Sequence, residues 1–341
     1  MLGTSSIGIQ APIYRGDANV LDFICNALMD SKVELDDGDI IGITESLVAR
    51  SQNNYCTIDD IAKSVKTLFP NSGSVVLFEP IASRNRFSYI LRGICRAFKQ
   101  VYIIWQSKYD EVGNFTRGKH PFTGLNYQDL YKHIAEQEGS SLYIIYDHVP
   151  YNCRNIIDCR CHVNNDQYGK YTLKDIMKSP IIREDRSESG FNHEYGVLGS
   201  NVAGDDRLKL FPRDGQDFVL SLQKKLNLVF HKSFSCVIFA DGCFKDPVGG
   251  IWEFADPITC PGSTIPWESS PVEMKLKLLA DSSKTDEEIK QEIKEFEGHA
   301  LGTTPRRTND LLASLMDLTA GSGDKGTPIV LVKNYFTHYG Q

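Results

Sequence analysis

The stretch LLASLMDLTAGSGDKGTPIVLVKNY, residues 311–335, is a helical pattern, a glycine-rich turn and a strand in immediate succession. Leu311, Leu312, Leu315 and Met316 recur at helical spacing, and IVLV is a short apolar run of strand composition. Between them GSGDKG holds three glycines in six residues. Glycine takes positive φ without strain, so such a loop serves equally as a tight turn or as a cradle of N–H groups for a phosphate. A Walker A loop follows a strand and opens a helix, whereas GSGDKGTP follows a helix and opens a strand. It is not a Rossmann fingerprint either. What else converges on the loop decides between turn and phosphate site.

Composition narrows the partners first. With 341 residues, 41% of them hydrophobic and 24% charged, the chain has enough apolar surface for two or three domains' worth of core. A net charge of −7 gives no general attraction to nucleic acid or anionic lipid, so neither is expected as a partner. No apolar run reaches the ~20 residues needed to span a bilayer, and MLGTSSIGIQAP lacks a basic segment followed by an apolar one, which together lead to a cytoplasmic expectation. Nine scattered cysteines suit reduced thiols.

Strand-like and helix-like segments alternate along the chain. Asp17 suits the cap of a helix with Leu21, Ile24, Cys25 and Leu28 on its apolar face; DDGDIIGIT then turns into a buried strand, and Thr57 with Asp60 starts a second helix. SVVLFE, VYIIW and LYIIYD read as further strands, with a helix near Tyr127 to Gln137 before the last of them. Residues between Asn152 and Glu194 read as irregular. Val219, Leu222 and Leu226 mark a helix ahead of the strand CVIFA, after which DGCFKDPVGGIWEFADPITCPG reads as a long ordered loop. Ser270, Pro271 and Glu273 form one helix-start pattern, and Thr285 with Glu288 another. The alternation predicts an α/β to α+β fold with mixed sheets and packed helices.

Asp241 follows the strand CVIFA, where ligand sites of α/β proteins gather, and is the leading metal-ligand and catalytic candidate. The DG dipeptide also suits a plain turn. Asp246, Glu253 and Asp256 are further oxygen donors for magnesium or manganese. Thr304 and Pro305 predict a helix start that places Arg306 and Arg307 in its first turn, where the dipole disfavours cations. A bound anion or a neighbouring carboxylate would compensate. Lys325 in the glycine-rich loop, and Arg84 and Arg86 in SRNRF, add two more cationic clusters and favour an anionic ligand. Cys153, Cys159, Cys161 and His162 have no common zinc spacing, and His148 beside Asp147 fits a structural role better than acid–base work.

Taken in order, APIYRGD (11–17), LDDGDIIGITESLVAR (35–50), GVLGSNVAGDDRLKLFPRD (196–214), VIFADG (237–242) and the opening stretch resemble the signatures of the coenzyme F-420 gamma-glutamyl ligase family. The resemblance implies GTP as cosubstrate, divalent magnesium or manganese, L-glutamate joined by an amide bond to a carboxylate of a small-molecule substrate, and a homodimer. It places Gly16, Thr44, Glu45, Arg50, Asn201 and the loop Gly321, Ser322, Gly323, Asp324, Lys325 and Gly326 near the nucleotide, with Asp241 and Asp246 on metal. Arg306 and Arg307 then join Asp241 as catalytic candidates. The matched segments divide the chain into a ligase-like core at 1–72 and 191–341 and an inserted α/β region at 73–190. Three positions depart from the family pattern: Leu198 stands for a metal-binding aspartate, Ser46 for a lysine, and Gly242 for a serine or threonine. A leucine binds no cation, so the ligand must come from elsewhere, with Asp205, Asp206 or Asp246 as candidates. The rival expectations are a nucleotide- or anion-binding protein without ligase activity, and a hydrolase or transferase using 73–190 for substrate.

Overall fold

A computed structural model gives the C-terminal helix as Thr308–Ala320 and the strand after it as Ile329–Lys333, as the opening stretch predicts. The structure describes residues 3–78, 84–106, 108–109, 115–121, 124–146, 156–158, 171–177, 181–182, 188–189, 192, 194–245, 251–265, 276–296 and 308–340. The expected mixture of helices with parallel and antiparallel strands is present. Met1–Thr44, Gln216–Phe239 and Gly262–Gln341 form one unit, and Glu45–Gly215 with Ala240–Pro261 form a second. These limits differ from divisions after 72 and 190. Ile61 and Val65 of the helix Ile58–Leu68 share an apolar cluster with Ile90 and Ile94 of the helix Arg84–Ala97, so residues on both sides of position 72 build one core.

In the first unit, Ile40–Thr44 lies between Ile329–Lys333, to which it is antiparallel, and Ser235–Lys245, to which it is parallel. Ser5–Ile9 extends the sheet beyond Ile329–Lys333. A strand covered on both faces needs apolar side chains throughout, and Ile40, Ile41 and Ile43 are all buried. The helix Thr308–Ala320 buries Leu312, Ala313, Met316 and Ala320, a stripe at helical spacing that leaves Leu311, expected inward, 37% exposed. The first helix, Val20–Ser31, is capped by Asn19 rather than Asp17: Asn19 Oδ1 accepts from Leu21 N at 2.9 Å and Asp22 N at 3.2 Å.

Within the segment 241–262, expected as a long loop, residues 241–245 and 251–262 lie in strands. Ser235–Lys245 and Ile251–Ser263 are long neighbouring strands; the prolines that mask the strand pattern in the sequence fall in Ile251–Ser263, which is the edge strand of the sheet, where a missing N–H is tolerated. The helix-start pattern at 270–273 lies outside the described residues. The one at Thr285 forms a capping box with Glu288, as does Thr57 with Asp60.

The second unit contains an open sheet in the order Ser141–Ile145, Gln100–Ile104, Ser74–Phe78, Ile156–Asp158, Tyr171–Thr172, with every neighbouring pair parallel. The last two strands fall in the stretch expected to be irregular; at three and two residues they are too short to show a period. Beside this sheet stands an antiparallel ribbon of Ser200–Val202, Arg207–Leu210 and Tyr55–Thr57. Glu138 clamps the helices: it accepts from Arg92 Nε at 2.7 Å and Arg96 Nε at 2.6 Å, and Arg96 also reaches Asp59 at 2.9 Å.

Partial burial pushes the Glu138 carboxyl up, but hydrogen bonds from Arg96 and Arg92, with their charges, outweigh it and hold the group below its ordinary 4.5. A lowered carboxylate stabilises the fold above its unfolded value and loses that contribution as pH falls through the folded value. Glu138→Gln is therefore expected to cost about 1 kcal/mol near neutral pH, since the arginines are partly solvated. Thermal melts should show the gap from the wild type closing below pH 4.5; a gap independent of pH would contradict this role.

Candidate functional site

Glu45 opens the helix Glu45–Ser51 directly after the strand Ile40–Thr44, where a carboxylate meets the positive end of the helix dipole. Asp241 lies within Ser235–Lys245, two residues beyond Phe239, the register partner of Thr44. One amide joins them. Asn201 Nδ2 donates to Glu45 Oε1 at 2.8 Å and to Asp241 Oδ1 at 3.0 Å. Its Oδ1 accepts from Arg86 Nη2 at 3.1 Å, and Arg86 Nε donates to the Ser200 carbonyl. The guanidinium thereby fixes which end of the amide faces the carboxylates.

Lys209 is the direct partner of Asn201 on the antiparallel ladder, and paired residues share a face of the sheet. Lys209 Nζ donates to Ser46 Oγ and lies 3.4 Å from Glu45 Oε1. Ser46 stands where the resemblance places a lysine, so here the cation beside that position comes from a different strand. Sequence reasoning missed Lys209. Its signal was the alternation in RLKL, with Leu208 and Leu210 buried and the lysine on the other face.

Glu45 is only 4% exposed, and its Oε2 is buried with no hydrogen-bond partner among the described residues. Burial pushes this carboxyl above the ordinary range, the Asp241 charge adds to the rise, and Lys209 and Asn201 pull against it.

The segment leading to Asn201 is held tightly. Gly196 has φ +54°, and a Cβ there would lie 2.6 Å from the Lys174 carbonyl carbon, so only glycine fits. Tyr195 OH shares a buried 3.2 Å hydrogen bond with Thr259 Oγ1, and Asn192 Nδ2 donates to Pro212 O at 2.8 Å. Leu198 is fully buried in the apolar cluster with Tyr195, Val197 and Phe211. Asp205 and Asp206, expected as replacement ligands, are exposed at the tip of the Ser200–Leu210 hairpin, where their carbonyls accept from Arg92 Nη1 and Ile58 N. They do not join Asp241 in any metal-holding group among the described residues.

Glu45, Asn201 and Asp241 thus come together. Arg50 is exposed in the last turn of the helix that Glu45 opens. Gly16, Thr44 and residues 321–326 belong to the first unit. There the glycine-rich loop is a turn with defined roles: Gly321 at φ 67° ends the helix, its N–H donating to Asp317 O at 2.9 Å, and Gly326 at φ 66° accepts from Ala11 N at 3.0 Å. Between them Gly323–Lys325 makes a short 3-10 turn. Thr44 N donates to Pro328 O at 3.0 Å, just past the loop. Asp246, Arg306, Arg307, Asp147, His148, Cys153, Cys159, Cys161 and His162, and the side chains of Arg84, Glu253 and Asp256, lie outside the described residues.

Among the described residues no group of three or more His, Cys, Asp or Glu side chains could hold a metal. Two carboxylates still fit magnesium or manganese, which commonly take one or two from the protein and complete the shell with water and phosphate oxygens. The unpaired Glu45 Oε2 is the kind of oxygen such an ion satisfies.

The family model of F420-0:gamma-glutamyl ligases matches residues 8–334, through both units. The chain belongs to the F420-0:gamma-glutamyl ligase family. Membership suggests gamma-glutamyl ligase activity and small-molecule substrates such as glutamate. No curated protein matches the chain. Among the described residues no helix is long and apolar enough to cross a membrane.

Replacing Asn201 by leucine removes donors from two carboxylates and an acceptor from Arg86. Calorimetric melts are expected to show a loss of about 1–3 kcal/mol, the cost of leaving partly buried polar groups unpaired. Wild-type stability in Asn201→Leu would mean that the amide does not hold the carboxylates.

Proposed function

We propose that this chain is a metal-dependent ligase that uses GTP to join an amino acid, L-glutamate, to a carboxylate of a small-molecule acceptor through an amide bond. One observation carries the reading: Asn201 holds the Glu45 and Asp241 carboxylates together in a member of the gamma-glutamyl ligase family. Magnesium or manganese held by Asp241, with Asp246 as a further candidate ligand, would neutralise charge on the phosphate oxygens when bound.

An acceptor carboxylate is a poor electrophile, and GTP chemistry overcomes this. A carboxylate oxygen attacks the γ-phosphorus, GDP leaves, and an acyl phosphate forms. The glutamate amine, after losing a proton, then attacks the acyl carbon, the amide forms, and phosphate leaves with that oxygen. The chain's share is orientation and charge. Arg50, Arg306, Arg307 and Lys325 are assigned to phosphate or carboxylate groups, and Gly16, Thr44 and the 321–326 loop to the nucleotide. Asn201 keeps the Asp241 oxygens aimed. The reading extends to a cytoplasmic homodimer.

Leu198 favours a second reading, in which nucleotide binds and no ligation follows. Phosphate release from GTP, measured with manganese, L-glutamate and a panel of small carboxylates, separates the two. Ligation requires release that depends on both glutamate and an acceptor, and a fall of about 100-fold or more in Asp241→Asn at unchanged melting temperature. Release without glutamate would indicate a hydrolase; GTP binding without release throughout the panel would indicate a binding protein.

Arg306 and Arg307 give an independent check. If they face phosphate, changing both to glutamine should leave the apo melting temperature unchanged or slightly raised, because cations in a helix's first turn, where the Thr304–Pro305 pattern of the sequence puts them, cost about 0.3–1 kcal/mol each. Stabilisation by saturating GTP should shrink. A drop in apo stability with GTP stabilisation intact would assign them to internal ion pairs.

A further inference from the structure

We infer that Glu45 is the second carboxylate ligand of the divalent-ion site, supplying from the helix after Ile40–Thr44 the oxygen that Leu198 does not. The inference deepens the ligase reading and rests on it. Leu198 is fully buried among apolar side chains and carries no oxygen to offer. The exposed Asp205 and Asp206 do not gather with Asp241. Glu45 does, through a shared amide.

The division of labour between the two Glu45 oxygens is the central observation. Oε1 takes both contacts that the described residues make with this carboxylate: Asn201 Nδ2 at 2.8 Å and Lys209 Nζ at 3.4 Å. Oε2 is equally buried and has no partner among the described residues. An unpaired oxygen on a side chain 4% exposed is costly unless something outside the protein satisfies it. Water could do so on geometric grounds alone. Charge favours a cation: two carboxylates meet at Asn201, and among the described residues Lys209 is the one cation within ion-pair distance of either, while Arg86 donates to the amide oxygen.

The donor chemistry also selects the ion. Asn201 turns its nitrogen to the carboxylates and spends its oxygen on Arg86, so the ligands on offer here are carboxylate oxygens. Oxygen donors suit hard cations such as magnesium and manganese, which keep water or phosphate oxygens at their other positions. Lys209 stabilises the ionised carboxylate from the Oε1 side without entering the ion's shell.

The test is manganese titration of the full chain without nucleotide, followed by the electron-paramagnetic-resonance signal of free ion through the millimolar range. Glu45→Gln should weaken binding about tenfold or more, since even outer partners of a metal ligand are worth 10–100-fold. Its apo melting temperature should stay near that of the wild type, because the cost of burying the carboxylate is removed together with its attraction to Lys209. Glu45→Asp keeps the charge but shortens the reach, and should also lose affinity; retention in Glu45→Asp would show a mere field effect and overturn the ligand role. Unchanged affinity in Glu45→Gln alongside weakened Asp241→Asn would remove Glu45 and leave the metal reading standing. A wild type that binds no manganese would overturn both together.

Discussion

The site depends on a single amide oriented by a single guanidinium. Asn201 can hold two carboxylates with its nitrogen only because Arg86 occupies its oxygen. Reversed, the amide would set three oxygens against one another. Arg86 is in turn buried at 5% exposure and tied to the Ser200 carbonyl, so the orienting group is itself fixed by the strand that carries Asn201. The site therefore rests on a short ribbon of main chain.

That ribbon explains several features that are otherwise unrelated. The antiparallel register places Lys209 opposite Asn201, so the cation and the amide reach Glu45 from one face. Gly196 lets the chain pass against the Lys174 backbone, and Leu198 anchors the same segment in the apolar core. The leucine thus has a packing role at the position where the family pattern has a ligand. Glu45, at the start of its helix, lies close enough to Asp241 for their charges to interact.

Much of this was legible in the sequence. Periodicity located the helix Thr308–Ala320, the capping boxes at Thr57 and Thr285, and the three longer parallel strands, because apolar spacing and cap chemistry are local properties. Asp241 is legible from its place after the strand CVIFA, and Asn201 through the family signatures. Glu45 was visible only as a residue near the nucleotide, and its pairing with Asp241 was not, since that pairing comes from tertiary contacts. Lys209 looked like an ordinary strand lysine until the register put it beside Asn201. The long strands through Asp241 were hidden for another reason: glycine and proline punctuate that segment, and only a partner strand reveals that its backbone is paired.

The central claim is that Glu45 and Asp241 jointly hold a divalent cation. Crystals of the full chain soaked with manganese and GTP, with diffraction recorded above the manganese absorption edge, test it most directly. The account predicts an anomalous peak in bonding contact with Glu45 Oε2 and an Asp241 oxygen, with Asn201 still donating to both carboxylates. A manganese peak elsewhere, with Glu45 Oε2 bonded only to water or to protein, would contradict it.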